Sequence, residues 1–246
     1  MITFFIAFYN EERKGKGVHK FLKDLEKFIR NPINKKNTFV LYNDGSSDNT
    51  GTIVENFKKR INKNNVQVYK NITNRGVGFS YRQILKKCKT KYLFFIPGDN
   101  DLLWKDLLEL KKYYGYDFAM LFPINFEKYS PARYLVSMLF RIIYGISFGI
   151  IINYIQAPCL YKVKTLRKHH FVSTRFSIWA EINTKLLKTK IKYIEIPVHY
   201  KNKSVIDRTI NFKNLYEVIV MFLRTFIEIK FFKRKTYRFT AKKYYL

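Results

Sequence analysis

Short apolar runs alternate with amphipathic stretches through the first half of the chain. Residues 2–8 are a run of β-formers that ends at Tyr9-Asn10, and residues 17–29 carry Phe21, Leu22, Leu25, Phe28 and Ile29 at helical spacing. Residues 38–42 read as a second buried strand, closed by Asp44-Gly45. Ser47 or Asp48 is placed to cap the next helix, whose apolar positions are Ile53, Val54, Phe57 and Ile61. Residues 66–69 predict a third strand, 76–87 a third helix, and 91–96 a fourth strand stopped by Pro97-Gly98. Alternation of this kind predicts a parallel sheet built from right-handed crossover units. A further helix is expected over 102–114 and a strand over 118–122.

After Ser130-Pro131 the pattern changes. Residues 134–155 are almost wholly apolar, with Arg141 their only charge. The stretch has the length of a membrane span, but Gly145 and Gly149 interrupt it, and a helix lying in a membrane interface followed by a strand fits better. Residues 176–187 read as helix and 193–198 as strand. Residues 211–232 form an amphipathic pattern with Leu215, Val218, Ile219, Phe222, Leu223, Phe226 and Ile227 on one side. Glu217, Arg224, Glu228 and Lys230 argue against a transmembrane segment there. The end is basic and aromatic, so the expected organisation is a catalytic domain over 1–204 and an amphipathic, membrane-interface tail over 205–246.

Composition sharpens this reading in two places. The 47 Lys and Arg against 18 Asp and Glu leave a net charge of +29, which calls for an anionic partner, and a membrane surface is the first choice. Coding bias is the alternative source of part of the excess, since Lys, Asn, Ile, Phe and Tyr are abundant together. Cys88 and Cys159 are too few for a disulfide framework or a zinc cluster. The four histidines lack metal-ligand spacing, and His169-His170 reads as a surface pair. Met1 runs straight into a strand followed by acids, unlike a signal peptide, so a cytoplasmic setting at the inner membrane face is expected.

The chemistry gathers at strand ends. Tyr9-Asn10-Glu11-Glu12, Asn43-Asp44-Gly45-Ser46-Ser47-Asp48, Asn74-Arg75-Gly76-Val77-Gly78 and Gly98-Asp99-Asn100-Asp101 each sit at or just after an apolar run. Ligands of open α/β sheets bind beyond the carboxyl ends of the strands. Asp99 and Asp101 are alternate acids after a tight turn, where both can reach one divalent cation with oxygen preference, Mg²⁺ or Mn²⁺. Taken alone such a pair is a solvated acidic turn; its place after a fourth strand, downstream of Asp44, favours the metal reading. Asp44 can accept a hydrogen bond from a base or ribose, although Asn43-Asp44-Gly45 makes a turn whatever its function. Tyr9 can stack on a base and Glu11 can read it. Gly76-Val77-Gly78 fails as a dinucleotide fingerprint, because Tyr81 stands where a third glycine is needed. The glycines fit close backbone approach at a helix start, near a diphosphate, with Arg75 adding positive charge.

This ordered set resembles the family-2 glycosyltransferases of GT-A fold, over about residues 1–205. Within them the chain looks closest to the polyprenyl-phosphate (dolichyl-phosphate mannose synthase-like) branch. The resemblance implies an α/β, Rossmann-like, mostly parallel central sheet flanked by helices, here with a C-terminal amphipathic helical extension. It also implies inverting transfer of a sugar from a nucleotide-diphosphate donor to a lipid-linked or glycan acceptor. By it, Phe8, Tyr9, Glu11, Asp44, Arg75, Gly76 and Asp99 form the nucleotide side, and Asp99 and Asp101 hold the metal. Arg133 and Lys203 are the candidates to meet an acceptor phosphate. Asn43 stands where the family often has Asp, and His199-Tyr200-Lys201-Asn202-Lys203-Ser204 only faintly echoes the branch's later motif.

Two acceptors stay open. A phosphate is already an anion and needs no base, whereas a sugar hydroxyl does, and Glu181 is the candidate, with a surface helix acid as its bland alternative. A nucleic-acid-binding protein would suit the charge, yet no helix-turn-helix, zinc-finger or RNA-binding strand motif is present. No nucleic acid is expected as a partner.

Overall fold

The computed structural model describes the chain except residues 15–16, 99–101, 126–130, 202–211 and 246, and also except the side chains of 14, 132–133 and 212–214. Strands β1 (Ile2–Phe8), β2 (Thr38–Asp44), β3 (Val66–Asn71) and β4 (Tyr92–Pro97) alternate with helices α1 (Gly17–Arg30), α2 (Thr50–Ile61) and α3 (Val77–Lys87). After α4 (Trp104–Leu108) come β5 (Phe118–Pro123), α5 (Pro131–Phe148), β6 (Cys159–Lys162) and α6 (Val163–Leu166). The chain then forms α7 (Ser177–Leu187), β7 (Lys192–Val198), α8 (Phe212–Ile227) and β8 (Lys242–Tyr244). The strands make one sheet in the order β3-β2-β1-β4-β6-β5-β7-β8, in which β6 is antiparallel to both neighbours and every other pairing is parallel. The mostly parallel α/β sheet expected from the alternation is therefore present.

Both faces of the sheet are covered, which is why its central strands are continuous apolar runs rather than alternating ones. Phe4, Ile6, Phe39 and Phe94 pack under α1 and α2, with Phe21, Val54 and Phe57 from those helices. Phe5, Val40 and Phe95 face α3 and α7 on the other side, where Trp179 stacks on Phe95 at 4.6 Å and meets Tyr81 edge-on at 4.7 Å. Burying two aromatic-rich layers of this size supplies the main favourable term for folding.

Three expectations are corrected. The 102–114 helix is only one α-helical stretch, α4, followed by 3₁₀ turns through Tyr113. Its ends are pinned by aromatic contacts, Trp104 to Phe28 at 5.1 Å and Tyr114 stacked on Tyr92 at 4.5 Å. The longer rise of 3₁₀ turns spans that gap. The 134–155 stretch is α5 as far as Phe148, where Gly149 at φ +62° closes the helix onto the Gly145 carbonyl. Strand structure resumes only at Cys159. Among the described residues no helix is long and apolar enough to cross a membrane.

The last correction concerns the tail. After α8 and a turn of π-helix (Glu228–Phe232), residues 233–241 return along α7, with Phe239 N–H donating to Lys188 O and Ala241 N–H to Leu187 O. β8 then extends the sheet beside β7, and Ile229, Tyr237 and Ala241 join the core. The stretch expected as an appended tail thus shares the hydrophobic core of 1–204.

Candidate functional site

Strand register brings four loop starts side by side. Phe8 lies opposite Asn43, Ala7 opposite Pro97, and Asp44 opposite Asn71. The loops after β1, β2, β3 and β4 therefore leave one edge of the sheet together.

The first two loops are stitched by their own polar side chains. Asn10, at φ +50°, receives at Oδ1 the Ser47 N–H at 2.8 Å, and its own N–H donates to Ser46 Oγ at 3.1 Å. Glu12 accepts from the Asn49 N–H at 3.1 Å and from Asn49 Nδ2 at 3.2 Å. Asp48 accepts from the Arg13 N–H at 3.1 Å and the Thr50 N–H at 3.0 Å. Against burial, which pushes it up, hydrogen bonds from Thr50 and from the backbone at Arg13 and Thr50 hold the Asp48 carboxyl below its ordinary value. Asn43, in the place of a family Asp, accepts the Ser46 N–H at 3.0 Å and so closes the turn. Tyr9 stands 43% exposed at the rim, and Glu11 is half-buried near it.

Phe8 is corrected from a nucleotide contact to a core residue. It is 1% exposed, packs edge-on against Phe21 at 5.7 Å, and lies beneath Gly98. A built Cβ on Gly98 would stand 3.0 Å from the Ala7 carbonyl. Asp99 and Asp101, the expected metal pair, follow Gly98 in the chain and lie outside the described residues. Their carboxylate oxygens are donors of the kind Mg²⁺ and Mn²⁺ take. Among the described residues no cluster of three His, Cys, Asp or Glu side chains is arranged to hold a metal.

Asp44 points inward. Its Oδ1 accepts from Asn71 Nδ2 at 2.6 Å, the Arg75 N–H at 3.1 Å and Ser80 Oγ at 3.3 Å. Its Oδ2 accepts from Asn74 Nδ2 at 3.2 Å and the Gly76 N–H at 2.8 Å. A carboxylate with five donors has no lone pair left for a base imide, so the direct nucleoside contact expected of it is corrected to positioning of the 74–76 turn. Asp44→Ala is accordingly expected to lower stability by about 3 kcal/mol or more, because it orphans backbone and amide donors together. Urea unfolding of the variant measures this, and a loss below about 1 kcal/mol would return Asp44 to the status of a simple turn residue.

The glycines of this turn are also reassigned. A Cβ on Gly76, which sits at φ +89°, would meet the Thr174 carbonyl at 2.3 Å, and one on Gly78 the Ser173 carbonyl at 2.7 Å. The close approach these glycines allow in the structure is to residues 173–175 of the same chain. Arg75 remains exposed at the start of α3, its guanidinium 3.8 Å above the Phe79 ring.

Glu181 was expected either as a base or as a surface acid and is neither. It is 2% exposed; its two oxygens accept the Val172 N–H at 3.1 Å and the Ser173 N–H at 2.9 Å, and Lys185 Nζ at 2.7 Å. Lys185, wholly buried, also donates to His170 O at 2.7 Å and pairs with Glu228 at 2.8 Å. The ion-paired Glu181 therefore clamps the segment against which Gly76 and Gly78 close. His169 is not a surface residue either: it meets the Tyr237 hydroxyl at 3.2 Å, and burial, reinforced by Lys185, pushes its imidazole down to about 4. Sequence spacing hid this network, since its charged members lie on two helices far apart in the chain.

Arg133 has its backbone in the first turn of α5, its side chain lying outside the described atoms, and Lys203 is outside the described residues altogether. Two contacts escaped sequence reading. Ser177 Oγ donates to Glu217, joining α7 to α8, and burial pushes the Glu217 carboxyl up. Asn71 ties Asp44 to Tyr42 through the Tyr42 hydroxyl at 2.9 Å.

Residues 3–210 match the family profile described as Glycosyl transferase family 2. The uncharacterized protein MJ0544 of Methanocaldococcus jannaschii is 34% identical over 140 residues, 55% of this chain and 56% of that one. Among solved structures, S. aureus TarS 1-349 superposes with a TM-score of 0.58 at 19% identity, over 92% of this chain and 65% of that one. Glucosyl-3-phosphoglycerate synthase from Mycobacterium tuberculosis, in complex with UDP, gives 0.60 at 12% identity over 93% and 79%. The mannosyltransferase PcManGT from Pyrobaculum calidifontis, in complex with GDP-Man and Mn²⁺, gives 0.63 at 14% over 91% and 64%. At these identities the superpositions show a shared fold. The chain spans little more than half of MJ0544 and under two thirds of TarS 1-349.

Proposed function

Since this chain belongs to glycosyl transferase family 2, we propose that it transfers a sugar, with inversion, from a nucleotide-diphosphate donor to a polyprenyl-phosphate or other lipid-linked acceptor at the cytoplasmic face of a membrane. The observation that carries this reading is that the β1, β2 and β3 loops leave the same sheet edge as the Gly98 turn, which leads into Asp99 and Asp101. Tyr9 offers a ring to the base and Arg75 a cation to the phosphates, while Asp44 holds the turn on which Arg75 sits and Glu181 holds the segment that this turn closes against. Asp99 and Asp101 would hold Mg²⁺ or Mn²⁺, whose charge offsets that of the departing diphosphate. The PcManGT complex pairs GDP-Man with Mn²⁺, which supports this choice.

The acceptor reading leans on Glu181. An ion-paired carboxylate with its lone pairs taken is a poor proton acceptor, and a phosphate acceptor needs none. This favours the lipid phosphate over a saccharide hydroxyl.

Membrane contact is supported by the outer helices. α5 and α8 meet through Tyr144 and Phe148 against Phe222 and Phe226, and turn Ile142, Ile143, Ile146, Ile219, Leu223 and Ile227 outward. Phe231 and Phe232 stand 70% and 82% exposed beside Lys230, Lys233, Arg234 and Lys235. Apolar side chains entering the head-group zone and cations meeting anionic lipid add to each other, about 1 kcal/mol per basic residue.

Two experiments test these readings. Calorimetric titration with UDP and GDP, with and without Mn²⁺, is expected to show one nucleotide bound tightly only when metal is present; no binding of either would sink the donor assignment. In liposome flotation the protein is expected to follow anionic vesicles, to be released by salt, and to be weakened by Phe231→Ser with Phe232→Ser. A folded protein that ignores anionic vesicles at low salt would end the membrane proposal.

A further inference from the structure

The sheet edge opposite the donor loops carries a concentration of positive charge that the transfer reaction does not use. α3 ends with Lys86 and Lys87, and the link to β4 adds Lys89 and Lys91. β6 runs antiparallel to β4 and sets Lys162 opposite Tyr92, with Lys164 two residues further on in α6. Together with Arg167 these side chains line an open hollow of about 850 Å³ whose lining contains no acid. The six residues of β4 separate it from the Gly98 turn by about 20 Å, so it is not part of the donor site.

Cations at helix C-termini are ordinarily explained by the helix dipole, but here that duty is already filled. The Arg167 guanidinium donates to the carbonyls of Leu85 at 2.9 Å, Lys86 at 3.1 Å and Cys88 at 2.6 Å, which caps α3. The neighbouring acid, Asp117, is also engaged: it pairs with Lys162 at 3.6 Å and accepts from Thr165 Oγ1 at 2.9 Å and the Lys192 N–H at 3.0 Å. Lys87 and Lys91 lie over the rings of Tyr69 and Tyr92, at 4.8 and 5.7 Å. Among the described residues Lys86, Lys89 and Lys164 have no counter-charge and project from a shared concave surface. Like charges held close repel even in water, and an anion with several oxygens placed between them removes that repulsion.

We propose that this hollow is a second anion site, which takes the phosphate groups of a multiply charged phosphate compound on the edge opposite the donor. Phosphate oxygens are the acceptors that three rotatable ammonium donors per lysine are suited to meet. Its volume accommodates a small oligophosphate or a phosphorylated head group.

The test uses the full chain and inorganic tripolyphosphate as the probe, titrated calorimetrically without divalent metal at fixed salt. Lys86→Gln, Lys89→Gln and Lys164→Gln, combined, are expected to weaken binding by about tenfold or more. Lys20→Gln, Lys23→Gln and Lys27→Gln, which remove the same charge from exposed positions of α1, are expected to leave it within about twofold. Circular dichroism of both triple variants checks that they are folded, and all six positions are exposed. Equal losses in the two variants, or no binding by the parent, overturn the proposal. So does a single-stranded oligonucleotide that binds more tightly than tripolyphosphate with the same dependence on Lys86, Lys89 and Lys164. Competition with phosphatidylglycerol vesicles separates the two sources: displacement of tripolyphosphate assigns the hollow to lipid head groups, and lack of displacement assigns it to a soluble phosphate compound.

Discussion

Lys185→Ala is expected to lower the stability of the folded chain by about 3–5 kcal/mol, the range seen when one partner of a buried ion pair is removed. Lys185 is wholly buried and sits between Glu181 at 2.7 Å and Glu228 at 2.8 Å, with the His170 carbonyl as its third acceptor. Removing the ammonium leaves two carboxylates facing each other with no cation between them. Because Glu181 also holds the Val172 and Ser173 N–H groups, the segment that closes over Gly76 and Gly78 is expected to loosen with it. Urea unfolding measures the effect, and a loss below about 1 kcal/mol would show that the pair is not an integral part of the core. The direction of the pH dependence follows. Although burial pushes the Glu228 carboxyl up, its bonds to Lys185 and Lys233 outweigh this and hold it below the ordinary 4.5. Its share of stability is therefore present above that value and is lost as the pH falls through the lower, folded value.

Asp99→Asn and Asp101→Asn are each expected to reduce sugar transfer by at least about a thousandfold, the consequence of several kcal/mol lost in stabilising the leaving diphosphate. A second readout separates metal binding from general damage. In both variants the nucleotide diphosphate is expected to lose the affinity it gains from Mn²⁺, while its affinity in the absence of metal stays close to that of the parent. Full Mn²⁺ enhancement of nucleotide binding in either variant would remove that residue from the metal site. Unfolding midpoints of both variants are expected to stay near that of the parent.

The positions of the two effects explain what was legible beforehand. The acids at 99 and 101 stood out because a strand, a glycine turn and alternate carboxylates are local features, each readable within ten residues of chain. The alternation of β1 to β4 with their helices was legible for the same reason: apolar periodicity of 2 or 3.6 is a property of neighbours in sequence. The family resemblance rested on that order of local strings, and the family profile match over residues 3–210 bears it out at the family level.

What needed the tertiary structure depends on pairs distant in the chain. Asp44 and Gly76 are separated by 32 positions, so whether the carboxylate turns outward to a ligand or inward to the 74–76 turn is decided by the β2–β3 register and the approach of residues 173–175. Glu181, Lys185 and Glu228 read as ordinary helix charges; only the packing of α7 beneath the return of the chain after α8 buries them together. Tyr237 and β8 read as part of a basic tail, because three residues of strand carry too little periodicity to announce an edge pairing with β7. The net charge was plain from composition, but its concentration on one sheet edge was not. The parallel strands β1 to β4 and their return helices bring the C-termini of α1, α2 and α3 to the edge where these strands start, and the antiparallel β6 ends there at Lys162; that is a consequence of topology rather than of any local stretch of sequence.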